Sequence, residues 1–177
     1  TSSSLRARFD SHKLIEEFMI AANVAAAEAL EKLQQPCMYR IHDAPSQEKL
    51  EALRVLLEGI DIPLAKGQVL KPMHFNRILK VAADTEYVDM VNQVVLRTQS
   101  QAEYNPNNIG HFGLALRRYA HFTSPIRRYA DLLVHRALIN GAKLGPGGLE
   151  KETRDFTEMG EHISATERQA SATERDA

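Results

Sequence analysis

The chain has 177 residues, enough to bury one sizeable core. Hydrophobic residues make up 44% and charged residues 25%, as in ordinary globular domains, and a formal net charge of −1 excludes a surface that is basic all over. The single Cys37 permits no internal disulfide, no apolar run approaches the roughly 20 residues of a membrane span, and no secretory leader is visible, so a reducing cytoplasm is the expected setting.

Residues 1–9 carry no clear pattern and are expected to be a tail or a strand. Asp10 or Ser11 can cap a long helix from about Lys13 to Gln34, and Pro36 follows it. Along that helix Ile15, Phe18, Met19, Ala22, Ala26, Ala29 and Leu33 recur at helical spacing as the expected core face, with Lys13, Glu17, Glu28 and Glu31 opposite. Glu16 and Asn23 share a flank about a quarter turn from that face, which leaves Glu16 less solvated than Glu17. A half-buried carboxylate beside an amide can hydrogen-bond a substrate hydroxyl. The plainer reading is a capped or paired structural glutamate, with His12 one turn earlier. His12 and Glu16 have the i, i+4 spacing of a metal pair, but no further ligands stand at useful spacing.

MYRIH (residues 38–42) reads as a short strand. Ser46 opens a helix through Glu58 that Gly59 stops, and 60–71 is loop. Pro72 starts a helix to about Ala83, and a further helix runs from about Thr85 to Gln101 with Tyr87, Val88, Val91, Val94 and Val95 as its stripe, although valines also suit strands. NPNNIGHFGLAL (105–116) is turn-rich and then apolar, a buried loop or short strand. A helix is expected over 125–140, a loop over 141–149 and a polar helix to the end. That last helix contains SATERQA and then SATERDA; the echo leaves a thin seam of alanines and Ile163, suited to a packed helix rather than a coiled coil. The fold class is α+β, predominantly helical.

HFTSPIRRYADLLVHRAL (121–138) holds the most pointed chemistry. Ser124 reads as an N-cap, Pro125 as the first helical residue, and Ile126, Ala130, Leu133 and Ala137 as the apolar stripe. Arg127 and Arg128 would then sit in the first turn, where the macrodipole disfavours a cation by roughly 0.3–1 kcal/mol. That makes the turn a candidate anion site. The alternative is an ion pair with Asp131, four residues after Arg127 and three after Arg128. From Arg117 to Lys143 Asp131 is the only acid, so a local basic patch stands on a neutral protein. His111 and His121 are single histidines suited to structural roles.

GHFGLALRRYA followed by HFTSPIRRYADLLVHRAL resembles the signature of the ribonuclease II/ribonuclease R (RNB) family of 3′→5′ exoribonucleases. SHKLIEEFMIAANVAAAEAL resembles a second family block, and RIHDAPS, AEYNPNNIGHFGLAL and the closing ERQASATERDA match in order, nearest in pattern to the ribonuclease R branch. The resemblance covers nearly the whole chain from Asp10 and implies processive degradation of single-stranded RNA to nucleoside 5′-monophosphates at a magnesium site. Carried onto this sequence, it implies that Arg127 clamps the phosphate at the cut and that Glu16 helps to recognise the terminal nucleotide and its ribose. Ser124, Arg128 and Tyr129 belong to the same motif and are the further candidate RNA-binding residues. The 2′-hydroxyl is what distinguishes RNA from DNA.

One departure matters. The family's magnesium ligands are closely spaced aspartates, whereas Asp10, Asp43, Asp61, Asp84, Asp89, Asp131, Asp155 and Asp176 are scattered. The resemblance therefore implies that residues 1–177 are the C-terminal half of an RNB catalytic domain. The metal ligands, the cold-shock domains and the S1-type domain are expected to lie outside this chain. The start at Thr1 and the stop within a helical pattern at Ala177 point the same way. The expected partners are single-stranded RNA and the missing N-terminal half of the domain. The piece alone is expected to be inactive and to show apolar patches, self-association or limited stability. A non-catalytic RNA-binding or adaptor protein is the alternative.

Overall fold

The computed structural model describes residues 10–64, 67, 69–150 and 155–176; the expectation for residues 1–9 lies outside them. Its elements are α1 (Asp10–Lys32), β1 (Tyr39–Ile41), α2 (Gln47–Glu58), α3 (Pro72–Ala82), α4 (Val88–Thr98), β2 (Glu103–Asn105), α5 (Tyr129–Ala142) and α6 (Phe156–Asp176), with a 3₁₀ turn at Phe112–Leu114. The chain is thus predominantly helical α+β, as its sequence predicts. Two compact units share it: Thr1–Arg40, Tyr104–Asn108 and Arg118–Ala177 form the first, Ile41–Glu103 and Ile109–Arg117 the second. Among the described residues no helix is long and apolar enough to cross a membrane.

The second unit follows its local signals closely. The Ser46 hydroxyl caps α2 by accepting from the Lys49 N–H at 3.4 Å. Gly59 ends that helix in a right-handed conformation, and the left-handed residue is Asp61 (φ 58°). Pro72 opens α3, and the preceding Lys71 N–H is satisfied by His74 Nδ1 at 2.8 Å. The helix expected from Thr85 starts at Val88, because Val88 N–H bonds back to the Thr85 carbonyl in a separate turn. Its valines do not make it a strand. Val91 and Val95 are buried with Leu53, Leu57, Phe75 and Ile78 from α2 and α3, and burying each such side chain stabilises by roughly 1.5–3 kcal/mol, more than the helix-propensity deficit of valine. The 105–116 segment, expected to be a buried loop or short strand, is so only in part: Asn105 ends β2 and Gly110 is buried, whereas Gly113, Leu114 and Ala115 are exposed.

In the first unit α1 packs on α5, and α5 on α6. The buried face of α1 is Asn23, Ala26, Ala27 and Leu30, turned around the helix from the face expected. Ile15 and Phe18, expected in the core, are 56% and 67% exposed, and Leu14 is exposed beside them. The cause is the run from Ala21 to Ala29: alanines carry little periodic contrast, so the packing partner selects the face. Leu133, Val134 and Ala137 of α5 are fully buried in the same core. The last helix also turns differently from the predicted alanine and Ile163 seam. Its buried seam is Phe156, Gly160 and Ser164, and a Cβ at Gly160 would come within 2.6 Å of the Tyr104 carbonyl oxygen. The missing side chain lets α6 approach the short strand β2, which pairs with β1. No sequence signal marks β2.

Cys37 is buried within this unit, and burial first, then the Glu31 carboxylate, pushes its thiol up to about 12. At pH 8 roughly one thiol in ten thousand is then thiolate, the nucleophilic form. A chromogenic disulfide reagent at pH 8 is expected to leave Cys37 untouched in the native chain and to label it fully in denaturant. Prompt labelling without denaturant would contradict the burial.

Candidate functional site

The segment from Tyr119 to Asp131 is not the helix entry expected. Ser124 does not cap α5 and Pro125 is not its first residue. Arg128 is the residue before the first helical one, in an extended conformation (φ −128°, ψ 119°), and Tyr129 begins α5. Pro125, Ile126 and Arg127 form a separate turn in which the Ser124 carbonyl accepts from the N–H groups of Arg127 and Arg128 at 3.3 and 3.2 Å. Ile126, assigned to the apolar stripe, is fully exposed. At its far end α5 continues through Gly141 and Ala142, expected in the loop, and stops at a left-handed Lys143 (φ 54°).

The reason for the late start is Asp131. Its carboxylate is fully buried in the first turn of α5, where the backbone favours an anion. Oδ1 accepts from the Ser124 N–H at 2.8 Å and from the Arg128 guanidinium at 2.9 Å, and Arg128 Nε lies 2.8 Å from Oδ2. The protein therefore supplies its own anion to that helix end, and the two arginines separate in role. Arg128 is committed to Asp131. Arg127 is exposed, and its guanidinium has no hydrogen-bond or ion-pair partner among the described residues.

Arg118, a further cation of the basic segment, is also matched. Arg118 lies 3.0 Å from Glu31 and 3.7 Å from Glu28. His121 and His135 are structural: His121 Nδ1 pairs with the Tyr104 hydroxyl at 2.8 Å, and the His135 ring stacks on Phe122 with centroids 4.2 Å apart.

Arg127, Arg128 and the half-exposed Tyr129 form one wall of a groove of about 560 Å³. His162, Thr166 and Glu167 of α6 form the facing wall. Three of the five residues singled out in the sequence thus come together. Ser124 contributes backbone that shapes the turn, and its side chain does not line the groove. Glu16 does not line it either. It is exposed rather than half-buried, and Asn23, placed on the same flank, is on the buried face instead.

Sequence reasoning missed the α6 wall and what braces it. Glu167 is held by Arg40 through two contacts of 2.6 and 3.1 Å, and the Arg40 guanidinium lies 4.5 Å over the Tyr104 ring. Burial pushes the Tyr104 phenol upward more than Arg40 lowers it, so it stays protonated against His121. The partners are separated by 127 residues in the case of Arg40 and Glu167, and no local motif signals such a pair. A groove with one uncommitted guanidinium, an exposed aromatic ring and a matched cation beside it can hold an anionic group next to a flat one. Among the described residues no group of three or more His, Cys, Asp or Glu stands together as a metal site, so they do not fit the magnesium that the resemblance implies.

Comparison with known proteins gives four findings. The family described as RNB domain matches residues 2–142. The ribonuclease R of Escherichia coli (strain K12) is 42% identical over 178 aligned residues, covering 96% of this chain and 22% of the relative. The ribonuclease R of Mycoplasma genitalium, solved in complex with ribose methylated single-stranded RNA, superposes with a TM-score of 0.83 at 26% identity, over 97% of this chain and 28% of that one. Yeast Ssd1, a pseudonuclease, shares the fold at a TM-score of 0.65 and 23% identity, over 88% of this chain and 19% of that one. The chain thus spans about a quarter of the length of its relatives.

Proposed function

The chain belongs to the RNB-domain family, and from that membership we propose that it is the C-terminal half of the catalytic domain of a magnesium-dependent 3′→5′ exoribonuclease, a protein that processively degrades single-stranded RNA to nucleoside 5′-monophosphates. The observation that carries this reading is Arg127: exposed, without a partner among the described residues, and lining a groove in a chain that matches ribonuclease R over nearly its whole length. A surface arginine on a turn whose neighbouring cations are matched is suited to an external anion, and RNA offers one at every nucleotide.

In this reading Arg127 clamps the phosphate at the cut and stabilises the charge that develops on its oxygens. Tyr129 offers a face for a base, since base–aromatic stacking is worth roughly 1–3 kcal/mol. Arg128, locked to Asp131, adds positive potential and shapes the wall. Ser124 sets the turn, and Glu16 acts on the terminal ribose outside this groove. Magnesium supplies the activated water in such hydrolysis, and its carboxylate ligands belong to the N-terminal half of the domain, which is this chain's partner. The setting is a reducing cytoplasm, where Cys37 remains a thiol.

The chain alone is then a phosphate-binding half-site. Incubated with 5′-labelled single-stranded RNA and magnesium, it is expected to leave the RNA at full length, as in the EDTA control. A magnesium-dependent ladder shortening from the 3′ end would show that these residues hold the metal after all, and the half-site reading would fail. The lack of a carboxylate cluster among the described residues also favours a second reading, a non-catalytic RNA-binding or adaptor protein on the same fold. Activity that appears on adding the N-terminal half of a related RNB domain would exclude it.

A further inference from the structure

Asn23 is an anomaly on its helix. It is 3% exposed on a face otherwise made of Ala26, Ala27 and Leu30, where a buried amide is costly unless hydrogen-bonded and where alanine forms helix better. Its bonds run to a segment about a hundred residues away. Oδ1 accepts from the N–H groups of Phe122 and Thr123 at 2.9 and 3.3 Å, and Nδ2 donates to the Tyr119 hydroxyl at 3.0 Å. Two N–H donors facing one atom fix the orientation of the amide, since only the oxygen can accept.

The next backbone groups are held in the same way. The Phe122 carbonyl faces His135 Nε2 at 2.8 Å, and the Ser124 N–H is bonded to buried Asp131. The Ser124 carbonyl then carries the turn that ends in Arg127. The approach to Arg127 is therefore clamped at successive peptide groups by side chains of α1 and α5. Asp131 and His135 also hold other things: Asp131 neutralises Arg128, and His135 packs on Phe122. The side-chain hydrogen bonds of Asn23 run to residues 119–123 alone.

We propose that Asn23 is a positioning residue: it fixes the 122–124 backbone so that the Arg127 guanidinium is presented to phosphate in one orientation. The inference rests on the reading of Arg127 as a phosphate clamp. A side chain with several rotatable bonds gains affinity from pre-organisation of the backbone that carries it, because less freedom is lost on binding. Removing Asn23 lets the turn wander and removes much of the benefit of Arg127 without touching the ligand.

The test is a double-mutant cycle on the whole chain, with binding of a fluorescent single-stranded oligoribonucleotide as readout. Arg127→Ala, Asn23→Ala and the double variant are measured, with Asn23→Asp as the conservative variant that keeps the accepting oxygen. Asn23→Ala is expected to weaken binding about tenfold, the double variant to bind no worse than Arg127→Ala alone, and Asn23→Asp to restore most of the affinity. A loss that adds fully to that of Arg127→Ala overturns the proposal, because Asn23 would then act elsewhere; unchanged binding in Asn23→Ala, with Arg127→Ala still weak, also overturns it. Should Arg127→Ala itself bind normally, the clamp reading falls and takes this inference with it. If Asn23→Ala does not fold, Asn23→Ser, which cannot span both N–H groups, takes its place in the cycle.

Discussion

Arg127→Ala is expected to lower affinity for a single-stranded oligoribonucleotide by roughly 10- to 100-fold, since a hydrogen bond to a charged group is worth about 1.5–3 kcal/mol. The same variant is expected to melt at the wild-type temperature. Its guanidinium is exposed and, among the described residues, has no partner to lose. The two results together separate a ligand-facing arginine from a structural one. Salt gives a third signature: removing one phosphate contact should reduce the slope of log affinity against log salt by about 1. Arg127→Lys should fall between, because an ammonium keeps the charge and loses the planar fork that grips two phosphate oxygens. Binding unchanged in Arg127→Ala, with an unchanged salt slope, would remove the clamp from the account.

Asp131→Ala is expected to do the opposite, with its main effect on stability. The carboxylate is fully buried and Arg128 is mostly so, and removing one partner of such a pair costs about 3–5 kcal/mol because the other charge is stranded. The Ser124 N–H loses its acceptor at the same time. Chemical denaturation should show a midpoint well below that of the wild type. Asp131→Asn should lose less, since an amide oxygen can still accept from Ser124, and a further Arg128→Met in the Asp131→Ala background should recover part of the loss by removing the stranded cation. A loss below about 1 kcal/mol in Asp131→Ala would mean that water reaches Arg128 and that the pair behaves like a surface one.

These two variants also locate the boundary between local and long-range information. Where an element depends on neighbours within one turn, its signal was plain: Ser46 before α2, Pro72 at the start of α3, the break at Pro36. The arginine pair stood out for the same reason, since two cations beside a presumed helix start call for an explanation. The start itself was misplaced, because Ser124-Pro125 satisfies every short-range rule for a cap. A buried carboxylate later in the chain takes the Ser124 N–H and leaves those residues as a turn outside the helix.

Leu14, Ile15 and Phe18 at the start of α1 are exposed, and the core face of that helix lies about a quarter turn from the one expected, with Ala26 common to both. Alanine-rich sequence is nearly silent about which side faces inward, so α5 chose it.

Composition, caps, helical spacing and the family blocks were enough to establish a mostly helical RNB-type chain with Arg127 as its most telling residue. They could not say that Arg128 would be spent on Asp131, that α6 would wall the groove, or that Asn23 would hold a segment 99 residues away. Helix and turn formation answers to contacts a few residues apart, which a linear pattern records. The partner of a buried amide or of a guanidinium is selected by which surfaces pack together, and that selection is made only when the whole unit closes around its core.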